Sequence, residues 1–586
     1  MAEAERFDVV VCGGGLAGLT IGIQLRQTLS DARVAIVERT ARPLPEATHK
    51  VGESSVELGS HYFDAVLGLK DYLEEKHLHK NGLRFFTGDT RGPLSKRPEI
   101  GPAEFPIVPS YQLDRGSYET DLRGFFEDAG GVLLEGRSVR AFELGTAGEA
   151  HRITLDSGAE LQARWMVDAS GRARLISKRL DLRRPSPNRA SAAWFRVKGR
   201  IRVADLVPES DARWHARDVD GNRWLSTVHL MGQGYWVWLI PLSTGYTSVG
   251  IVADHEHHPF GTYNKPERAW QWLQRHEPVL AERLGEDAGG PQSEDFRVVH
   301  NYSYLTERAF SSEDRWACVG EAALFVDPLY SLGSDFLGMT NSYATRLIAD
   351  ELNGVDTEER TKVCNALNET LTLLGRDAAR TLGGNGKIFP HADVFGAKLW
   401  WDFFNYWSFM CGHFFQRIYL ESSERLERFL EMGQRYYHLN TQAQAILENW
   451  AHLKSSTSDA KSFVPLPMFP SVLADQHLSL MEKRSADETL AKMVADLATG
   501  KALVTELLAH ALRDLGEGKA EAFGQALAPL GPWDLPTSPR FEADTLPRRE
   551  RLRALPPIGR DLERALGRRE GDRPLPHLWE VARAEF

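Results

Sequence analysis

Apolar runs bounded by glycine predict two buried strands within the first forty residues. The segment Phe7-Asp8-Val9-Val10-Val11-Cys12 has the composition of a strand covered on both faces, and glycines follow it directly. A helical segment from about Leu16 to Leu29 and a second apolar run, Val34 to Glu38, complete a βαβ unit of the usual ~30-residue length. The chain is therefore predicted to begin with a parallel α/β unit.

The pattern changes twice further along the chain. Between Ala190 and Val252 the apolar positions alternate with a period near two, which predicts an inserted antiparallel sheet. A strand at Trp316 to Gly320 and a helix from about Asn341 to Leu352 then predict a return to the first unit. From Thr357 onward helical periodicity dominates. We therefore predict four segments: 1–185 and 311–355 form the nucleotide-binding fold, 186–310 a sheet domain for substrate, and 356–586 a helical region with a Pro/Arg-rich tail.

Composition and charge exclude several classes of protein. The chain has 586 residues, 42% of them hydrophobic, and a formal net charge of -11, which gives no broad attraction to nucleic acid. Its four cysteines are far apart and show no metal-ligand spacing, so we expect no metal site and a reducing, cytoplasmic location. No uncharged run reaches the ~18 residues of a membrane helix. The sequence predicts an ordinary globular protein.

A glycine fingerprint follows the first strand. Gly13-Gly14-Gly15-Leu16-Ala17-Gly18 fits GxGxxG at the start of the predicted helix, and Glu38 lies twenty residues after Gly18. Unpaired N–H groups and the helix dipole at this helix start favour a pyrophosphate, so Gly13, Gly15, Ala17 and Gly18 are predicted to contact it. Glu38 is predicted to accept the hydrogen bonds of the adenosine ribose.

Three later residues indicate FAD rather than a nicotinamide nucleotide. Asp168 in Val167-Asp168-Ala169-Ser170-Gly171, Glu321 in Gly320-Glu321-Ala322-Ala323, and Arg115 stand in short stretches that resemble later FAD contacts of aromatic hydroxylases and flavin-dependent halogenases. The resemblance implies the FAD-binding α/β fold of the aromatic-hydroxylase type. In that group the place of Glu321 normally holds an aspartate.

Two further stretches resemble flavin-dependent halogenases in particular. Trp236-Val237-Trp238-Leu239-Ile240-Pro241 is similar to the family's WxWxIP pattern. The segment from Phe325 to Gly333, which contains Pro328 and Ser331, is similar to its FxxPxxSxG pattern. The resemblance covers about residues 6 to 350 and implies that reduced FAD, oxygen and a chloride or bromide ion together yield hypohalous acid.

The resemblance also implies the residues that handle halide and oxidant. The family's lysine stands about thirty residues after a Gly-Glu-Ser loop, and here Lys80 follows Val51-Gly52-Glu53-Ser54 at a similar distance. Its ammonium can polarise hypohalous acid by a hydrogen bond, or its neutral amine can carry the halogen. Ser331 is implied to support the lysine. The backbone amides of Leu332 and Gly333 are implied to bind the halide.

Departures from the family pattern keep other functions open. Tyr330 replaces the glutamate of the tryptophan halogenases, which favours a phenol, pyrrole or carrier-bound substrate over indole. Asp335 places a carboxylate near the expected halide site, where it would repel the anion. With Glu321, these residues favour the alternative of a related FAD monooxygenase or dehydrogenase without halide chemistry. A flavin-binding protein without turnover is a third possibility.

Two predictions concern partners and substrate. No second dinucleotide fingerprint follows the first, so the resemblance implies a separate NAD(P)H-dependent flavin reductase. The segment Trp400 to Phe409 is dense in aromatic residues, as in a buried core helix or the wall of a site for an aromatic substrate. That substrate is expected to be a small aromatic, either free or bound to an acyl carrier protein.

Overall fold

The structure is a computed structural model that describes residues 4–44, 52–146, 148–186, 188–218, 220–288, 296–379, 387–454, 463–467, 470–536 and 548–566. The strands are β1 Glu5–Cys12, β2 Val34–Glu38, β3 Leu78–His79, β4 Leu83–Phe86, β5 Glu99–Gly101, β6 Tyr111–Gln112, β7 Val132–Glu135, β8 Val139–Glu143, β9 His151–Leu155, β10 Glu160–Asp168, β11 Arg183–Pro185, β12 Ala190–Lys198, β13 Thr227–Gly232, β14 Tyr235–Pro241, β15 Tyr246–Asp254, β16 Arg297–Val299, β17 Tyr304–Thr306, β18 Phe310–Ser311, β19 Trp316–Cys318 and β20 Phe463–Pro465.

The α-helices are α1 Leu16–Thr28, α2 Glu57–His61, α3 Lys70–Lys76, α4 Arg115–Asp128, α5 Leu175–Arg179, α6 Ala212–His215, α7 Pro266–His276, α8 Pro278–Ala288, α9 Gly333–Leu352, α10 Glu358–Ala379, α11 Ala392–Asn405, α12 Gly412–Phe415, α13 Ser423–Leu453, α14 Val472–Ser479, α15 Ala486–Leu515, α16 Glu517–Leu527, α17 Arg548–Ala554 and α18 Pro557–Leu566. Two π-helical segments are Tyr62–Val66 and Tyr406–Cys411. Short 3-10 helices are Leu94–Lys96, Gly171–Ala173, Val203–Leu206, Arg223–Leu225, Phe260–Thr262, Gly320–Ala322, Ile418–Leu420 and Ala528–Leu530.

The first sheet is the parallel core of the predicted nucleotide-binding fold. Its strand order is β18-β19-β10-β1-β2-β7, with β9 beside β10 and β8 beside β9. Strand β1 pairs in parallel with both β2 and β10, and Cys12 at its end lies opposite Val37 and Asp168. Asp168 in turn lies opposite Cys318 at the end of β19. The carboxyl ends of four strands thus meet at one edge, which is where open α/β sheets bind ligands.

The second sheet is mostly antiparallel and has the order β16-β12-β15-β14-β13-β4-β5-β20. Its central strands match the period-two pattern seen in the sequence, and β14 pairs with β13 and β15. A side chain at Gly250 on β15 would approach the ring of Trp238 to 2.1 Å, so only glycine fits opposite that indole. Strands β4, β5 and β20 come from outside residues 186–310, which are the bounds predicted for this domain.

The carboxyl-terminal region is helical, as predicted. Helix α13 packs between α10 and α15, and α11 packs against α13 and α15. Trp400 and Trp401 on α11 are fully buried, and Trp401 Nε1 donates to Asn440 Oδ1 at 2.8 Å. The predicted fold class, an FAD-binding α/β fold with an antiparallel sheet and a helical C-terminal region, is confirmed. Part of the predicted Pro/Arg-rich tail lies outside the described residues; 548–566 form α17 and α18.

Two further features concern the cysteines and the helices. Cys12, Cys318, Cys364 and Cys411 are buried free thiols. Within the described ranges, we find no helix that combines the length and the apolar character required to cross a bilayer.

Candidate active site

The glycine fingerprint lies on a large cavity at the carboxyl edge of the first sheet. The cavity has about 2640 Å³ of empty space, including space open to solvent, and Gly13, Gly15 and Ala17 line it. Gly13 has a φ of +115°, and a Cβ there would lie 2.4 Å from the carbonyl oxygen of Ala169. Gly18 packs against Gly13, since its Cβ would lie 1.8 Å from the Gly13 carbonyl oxygen. The predicted residues therefore form a tight turn whose backbone faces the cavity.

The start of α1 suits a pyrophosphate. Its N-cap, Gly15, makes no side-chain hydrogen bond to the first turn, so the turn's N–H groups are not capped by that residue. Glu38 stands at the end of β2 and also lines the cavity; its Oε2 accepts from Gly14 N at 2.7 Å and its Oε1 from Thr40 N at 2.9 Å. The size, the glycine cradle and the carboxylate fit an FAD adenosine diphosphate.

Two of the other predicted cofactor residues line the same cavity, whereas Asp168 lies behind its lining. Arg115 and Glu321 line it, and Arg115 is held by Glu119 Oε1 through its Nε at 3.1 Å. Asp168 is buried and does not line the cavity; its carboxylate accepts from the backbone N of Ser170 and Ile176 at 3.0 and 2.8 Å. Asp168 thus fixes the loop that follows β10, and its neighbour Ser170 faces the cavity.

The aromatic and proline positions of the two halogenase-like patterns also converge here. Trp236 and Trp238 on β14 line the large cavity, as does Pro328. Pro241 ends β14 one residue beyond Ile240, which lines the cavity. The two indoles stand 5.7 Å apart between ring centroids. The second sheet thus contributes to the lining of the large cavity.

Lys80 is buried behind the linings of the large cavity and of a second, apolar cavity, in the wall between them, and is not itself a lining residue of either. Its side chain is completely buried, and Nζ donates to Ser54 Oγ at 2.9 Å and to the Ser55 carbonyl oxygen at 2.7 Å. Ser331 Oγ donates to the same Ser54 Oγ at 3.1 Å. Ser54 and Ser331 line the large cavity, and Gly82, two residues after Lys80, lines the apolar one. The structure therefore joins Lys80 to Ser331 through Ser54.

Burial changes the protonation of Lys80. Desolvation lowers the pKa of Lys80 to about 7, although the carboxylates of Glu57 and Asp335 act in the opposite direction. Both hydrogen-bond partners are acceptors, which suits the ammonium form, and an ammonium has a third N–H to donate. Lys80 can thus hold or release a proton near neutral pH.

The predicted halide turn begins a long helix. Ser331 has a φ of +60°, and α9 starts at Gly333 with Leu332 as its N-cap. The first N–H groups of a helix have no acceptor within it, so Gly333 presents the positive end of a 20-residue helix to the large cavity. Leu332 lines the apolar cavity instead. The turn therefore lies at the boundary between the two cavities.

Asp335 is turned away from this turn. Its Oδ1 accepts from Gly59 N and its Oδ2 from the Tyr406 hydroxyl, both at 2.8 Å. Burial raises the pKa of Asp335 to about 8, although both hydrogen bonds and Lys80 lower it. Asp335 does not line the large cavity. The repulsion that the sequence led us to expect is therefore weakened by both orientation and protonation.

The apolar cavity has about 740 Å³ of empty space, and its lining includes Gly82, two residues after Lys80. It is lined by Val56, Glu57, Gly82, Leu83, Pro102, Pro106, Ser110, Tyr330, Leu332, Leu374, Gly375, Ala378, Asp402, Phe403, Asn405, Tyr406, Trp407, Met410, Leu466, Pro467 and His477. The aromatic segment contributes to it in part: Phe403, Tyr406 and Trp407 form the wall, whereas Trp400 and Trp401 are core. Both interpretations of that segment therefore apply to different residues.

Tyr330 belongs to a buried polar network beside this cavity. Its hydroxyl donates to Asp402 Oδ2 at 2.8 Å, and Lys398 Nζ lies 2.9 Å from the same oxygen. Gln444 Nε2 donates to Asp402 Oδ1 at 2.8 Å. The residue that replaces the glutamate of the tryptophan halogenases is therefore a hydrogen-bond donor fixed by a carboxylate.

Sequence reasoning gave no role to two residues of the large cavity. In the sequence, Ser54 only marked the distance from the Gly-Glu-Ser loop to Lys80. In the structure its hydroxyl joins Lys80 to Ser331. His229 on β13 lines the cavity, stacks on Phe85 with 4.6 Å between centroids, and has a pKa lowered to about 3 by burial and by Lys80. A histidine within a strand gives no local signal of a site, because its position depends on how the two sheets meet.

Comparison with known proteins decides the family. Residues 6–360 match the FAD binding domain family, which is more than half of the chain. The chain belongs to that family. It is 24% identical over 456 residues to the flavin-dependent halogenase chlA of Dictyostelium discoideum, covering 71% of this chain and 72% of that protein. It is 25% identical to the 1H-pyrrole-2-carbonyl peptidyl-carrier-protein chlorinase of Pseudomonas fluorescens, covering 56% and 72%.

Solved structures agree on the fold. The halogenase PltM superimposes with a TM-score of 0.61 at 15% identity, covering 84% of this chain and 96% of that one. The myxobacterial chondrochloren halogenase CndH superimposes with a TM-score of 0.51 at 26% identity, covering 63% and 80%. The resemblance to flavin-dependent halogenases is confirmed, and the chain is an FAD-dependent oxidoreductase.

Proposed function

We propose that this protein is a flavin-dependent halogenase that adds chlorine or bromine to an electron-rich aromatic of the phenol or pyrrole type. The observation that supports this most strongly is the chain Lys80–Ser54–Ser331 in the wall between the large and apolar cavities. An oxidant formed in the large cavity must pass this wall to reach a substrate in the apolar one. Lys80 is a basic group within this wall.

Different residues of the large cavity would bind the parts of FAD and the halide ion. Bound reduced FAD, with oxygen, would supply the oxidant that converts halide into hypohalous acid. The turn from Gly13 to Gly18 would hold its pyrophosphate and Glu38 its ribose, while Arg115 and Glu321 stand further along the cavity. The amides of Leu332 and Gly333 at the start of α9 would hold chloride or bromide.

Lys80 would act on the hypohalous acid. An ammonium held by Ser54 and Ser55 has a third N–H free to donate to the acid's oxygen, which makes the halogen more electrophilic. The apolar lining next to it excludes water, which would otherwise compete for the oxidant. With a pKa near 7, the same group can also act as the neutral amine that carries the halogen.

Substrate delivery and reductant supply complete the proposal. The relative from Pseudomonas fluorescens is named for a pyrrole bound to a peptidyl carrier protein, so the substrate here is proposed to be a small aromatic, free or carrier-bound. Reduced FAD would come from a separate NAD(P)H-dependent flavin reductase, because the sequence has one dinucleotide fingerprint. We place the reaction in secondary-metabolite biosynthesis in the cytoplasm.

A monooxygenase or dehydrogenase without halide chemistry is the second candidate. Glu321 in place of an aspartate and Tyr330 in place of a glutamate favour it. Asp335 no longer does, because its carboxylate bonds to Gly59 and Tyr406.

One assay separates these functions. Purified protein is supplied with enzymatically generated reduced FAD, oxygen, excess bromide and phenol, and the products are analysed by mass spectrometry. The proposal expects brominated phenol, and essentially none when NADH replaces the reductase. Exclusively hydroxylated or desaturated product would support the second candidate, and NADH-driven turnover by the pure chain would contradict the need for a reductase.

A further inference from the structure

A buried histidine of the apolar cavity has no hydrogen-bond partner among the described residues. His477 lies on α14, lines the cavity and is 0% exposed, yet neither Nδ1 nor Nε2 makes a hydrogen bond. Leaving a buried polar group unpaired costs about 1–3 kcal/mol, so an unpaired imidazole that lines a cavity calls for an explanation. The imidazole is packed against Trp407, with 4.6 Å between ring centroids, which fixes its position. It is therefore held ready for a polar group that enters the cavity.

A carboxylate stands beside this histidine. Glu57 Oε1 lies 3.2 Å from His477 Nε2, within the distance of an ion pair once the imidazole is protonated. Burial raises the pKa of Glu57, but His477 and the charge of Lys80 lower it by more. The net pKa is below the ordinary value, so the carboxylate is ionised. An ionised carboxylate stabilises the imidazolium that forms when the histidine accepts a proton.

Several other polar groups of the cavity are already engaged, although Asn405 Oδ1 also has no hydrogen-bond partner among the described residues. The Tyr330 hydroxyl donates to Asp402, and the Tyr406 hydroxyl donates to Asp335. Lys80 donates to Ser54 and Ser55 from within the wall. His477 is thus a polar group of this cavity that can still accept a hydrogen bond from a substrate.

We propose that the substrate is a phenol whose hydroxyl donates to His477, and that the Glu57–His477 pair is the base that removes this proton during halogenation. This inference rests on the proposed function. It makes His477 a catalytic residue and Glu57 its positioning residue. A phenolic group has an ordinary pKa near ~10, so a base is needed for it to react as phenolate at neutral pH.

The phenolic proton moves to His477, the ring carbon forms its bond to the halogen, and the O–X bond of hypohalous acid breaks. The departing hydroxide takes a proton from the Lys80 ammonium and leaves as water. The neutral Lys80 amine then accepts the proton of the halogenated ring carbon, and His477 returns its proton to the product oxygen. The net reaction converts phenol and hypohalous acid into halophenol and water.

The test compares two phenols in the variants His477→Gln and Glu57→Gln. One is phenol, neutral at the assay pH, and the other is a nitrophenol that is already ionised. We expect His477→Gln to lower kcat/KM for phenol by about 100-fold or more, and for the nitrophenol by about threefold or less, because only phenol needs the base. Glu57→Gln should show the same selectivity with a smaller loss. His438→Gln, at an exposed histidine of α13, serves as the matched control.

Hypohalous acid formation is measured in parallel with a diffusible thioether trap. Wild type and variants should form the trapped oxidant equally, which shows that the variants fold and use FAD. An equal loss with both phenols, or no loss with phenol, would overturn the assignment of His477. If wild type itself forms no hypohalous acid, the proposed function fails, and that result is distinct from either outcome for His477.

Discussion

The large cavity is lined by residues up to Leu337, and many of its groups are backbone or polar, whereas the apolar cavity takes more than half of its lining from residues beyond 370. The two meet at the wall that contains Lys80 and the Ser331–Gly333 turn. The first cavity is built by short local motifs at the ends of parallel strands. The second is built by helices packed onto that frame from the far end of the chain. Under the proposed function, the first half would support oxidant formation and the second would select the substrate.

The largest expected effect concerns the large cavity alone. Gly15→Val should abolish FAD binding, because a branched side chain at the N-cap of α1 would occupy the pyrophosphate position. The flavin content of the purified variant, measured by absorbance, checks this. Gly518→Val, at an exposed glycine of α16 with open space around its Cβ, is the control. A stoichiometric flavin in Gly15→Val would contradict the assignment.

Substitution of Lys80, in the wall between the two cavities, should reduce product formation without affecting FAD binding. Lys80→Ala should lose halogenated product by about 10²- to 10⁴-fold while still binding FAD and still consuming oxygen with reduced FAD. Oxygen uptake would then be uncoupled from product. Lys80→Arg should fail nearly as badly, because a guanidinium is bulkier and stays protonated. The measurement is product formed per oxygen consumed, and a Lys80→Ala enzyme that halogenates at the wild-type rate would show that another residue guides the oxidant.

The frame of the apolar cavity should depend on its buried ion pair. Lys398→Met leaves Asp402 without its charged partner and should lower the free energy of unfolding by about 3–5 kcal/mol. Denaturant unfolding measures this. Lys362→Met removes an exposed lysine paired with Glu358 and should leave the denaturant midpoint nearly unchanged, because solvent screens that pair. Equal costs for both variants would mean that the Tyr330–Asp402–Lys398 network does not support the cavity.

The smallest expected effect is on selectivity. Phe403→Ala enlarges the apolar cavity beside Tyr330 and should shift preference toward bulkier phenols by about tenfold, with FAD affinity unchanged. The ratio of kcat/KM for a bulky and a small phenol gives the answer. A loss of FAD affinity in this variant would mean that the two cavities are not separate in function.

The sequence by itself determined the nucleotide-binding half. The strand, the glycine turn, α1 and Glu38 follow one another within forty residues, so local periodicity and residue type predict both their structure and their geometry. The order of the two halogenase-like patterns likewise predicted that Trp236, Trp238, Pro328 and Ser331 serve one site. The signals of the nucleotide-binding half are readable because parallel strands bring their carboxyl ends together whatever the rest of the chain does.

Only the tertiary structure decided how the apolar cavity is built. Ser54 contacts Ser331 across 277 residues of sequence and so joins it to Lys80, and His477 meets Glu57 across an even longer separation. No periodicity specifies such contacts, because they depend on how the helices beyond residue 370 pack on the first sheet. The same packing turns Asp335 toward Gly59 and Tyr406, which weakens the repulsion expected from its position in the sequence. Burial and distant partners, rather than neighbouring residues, set the charge of the groups that face the substrate.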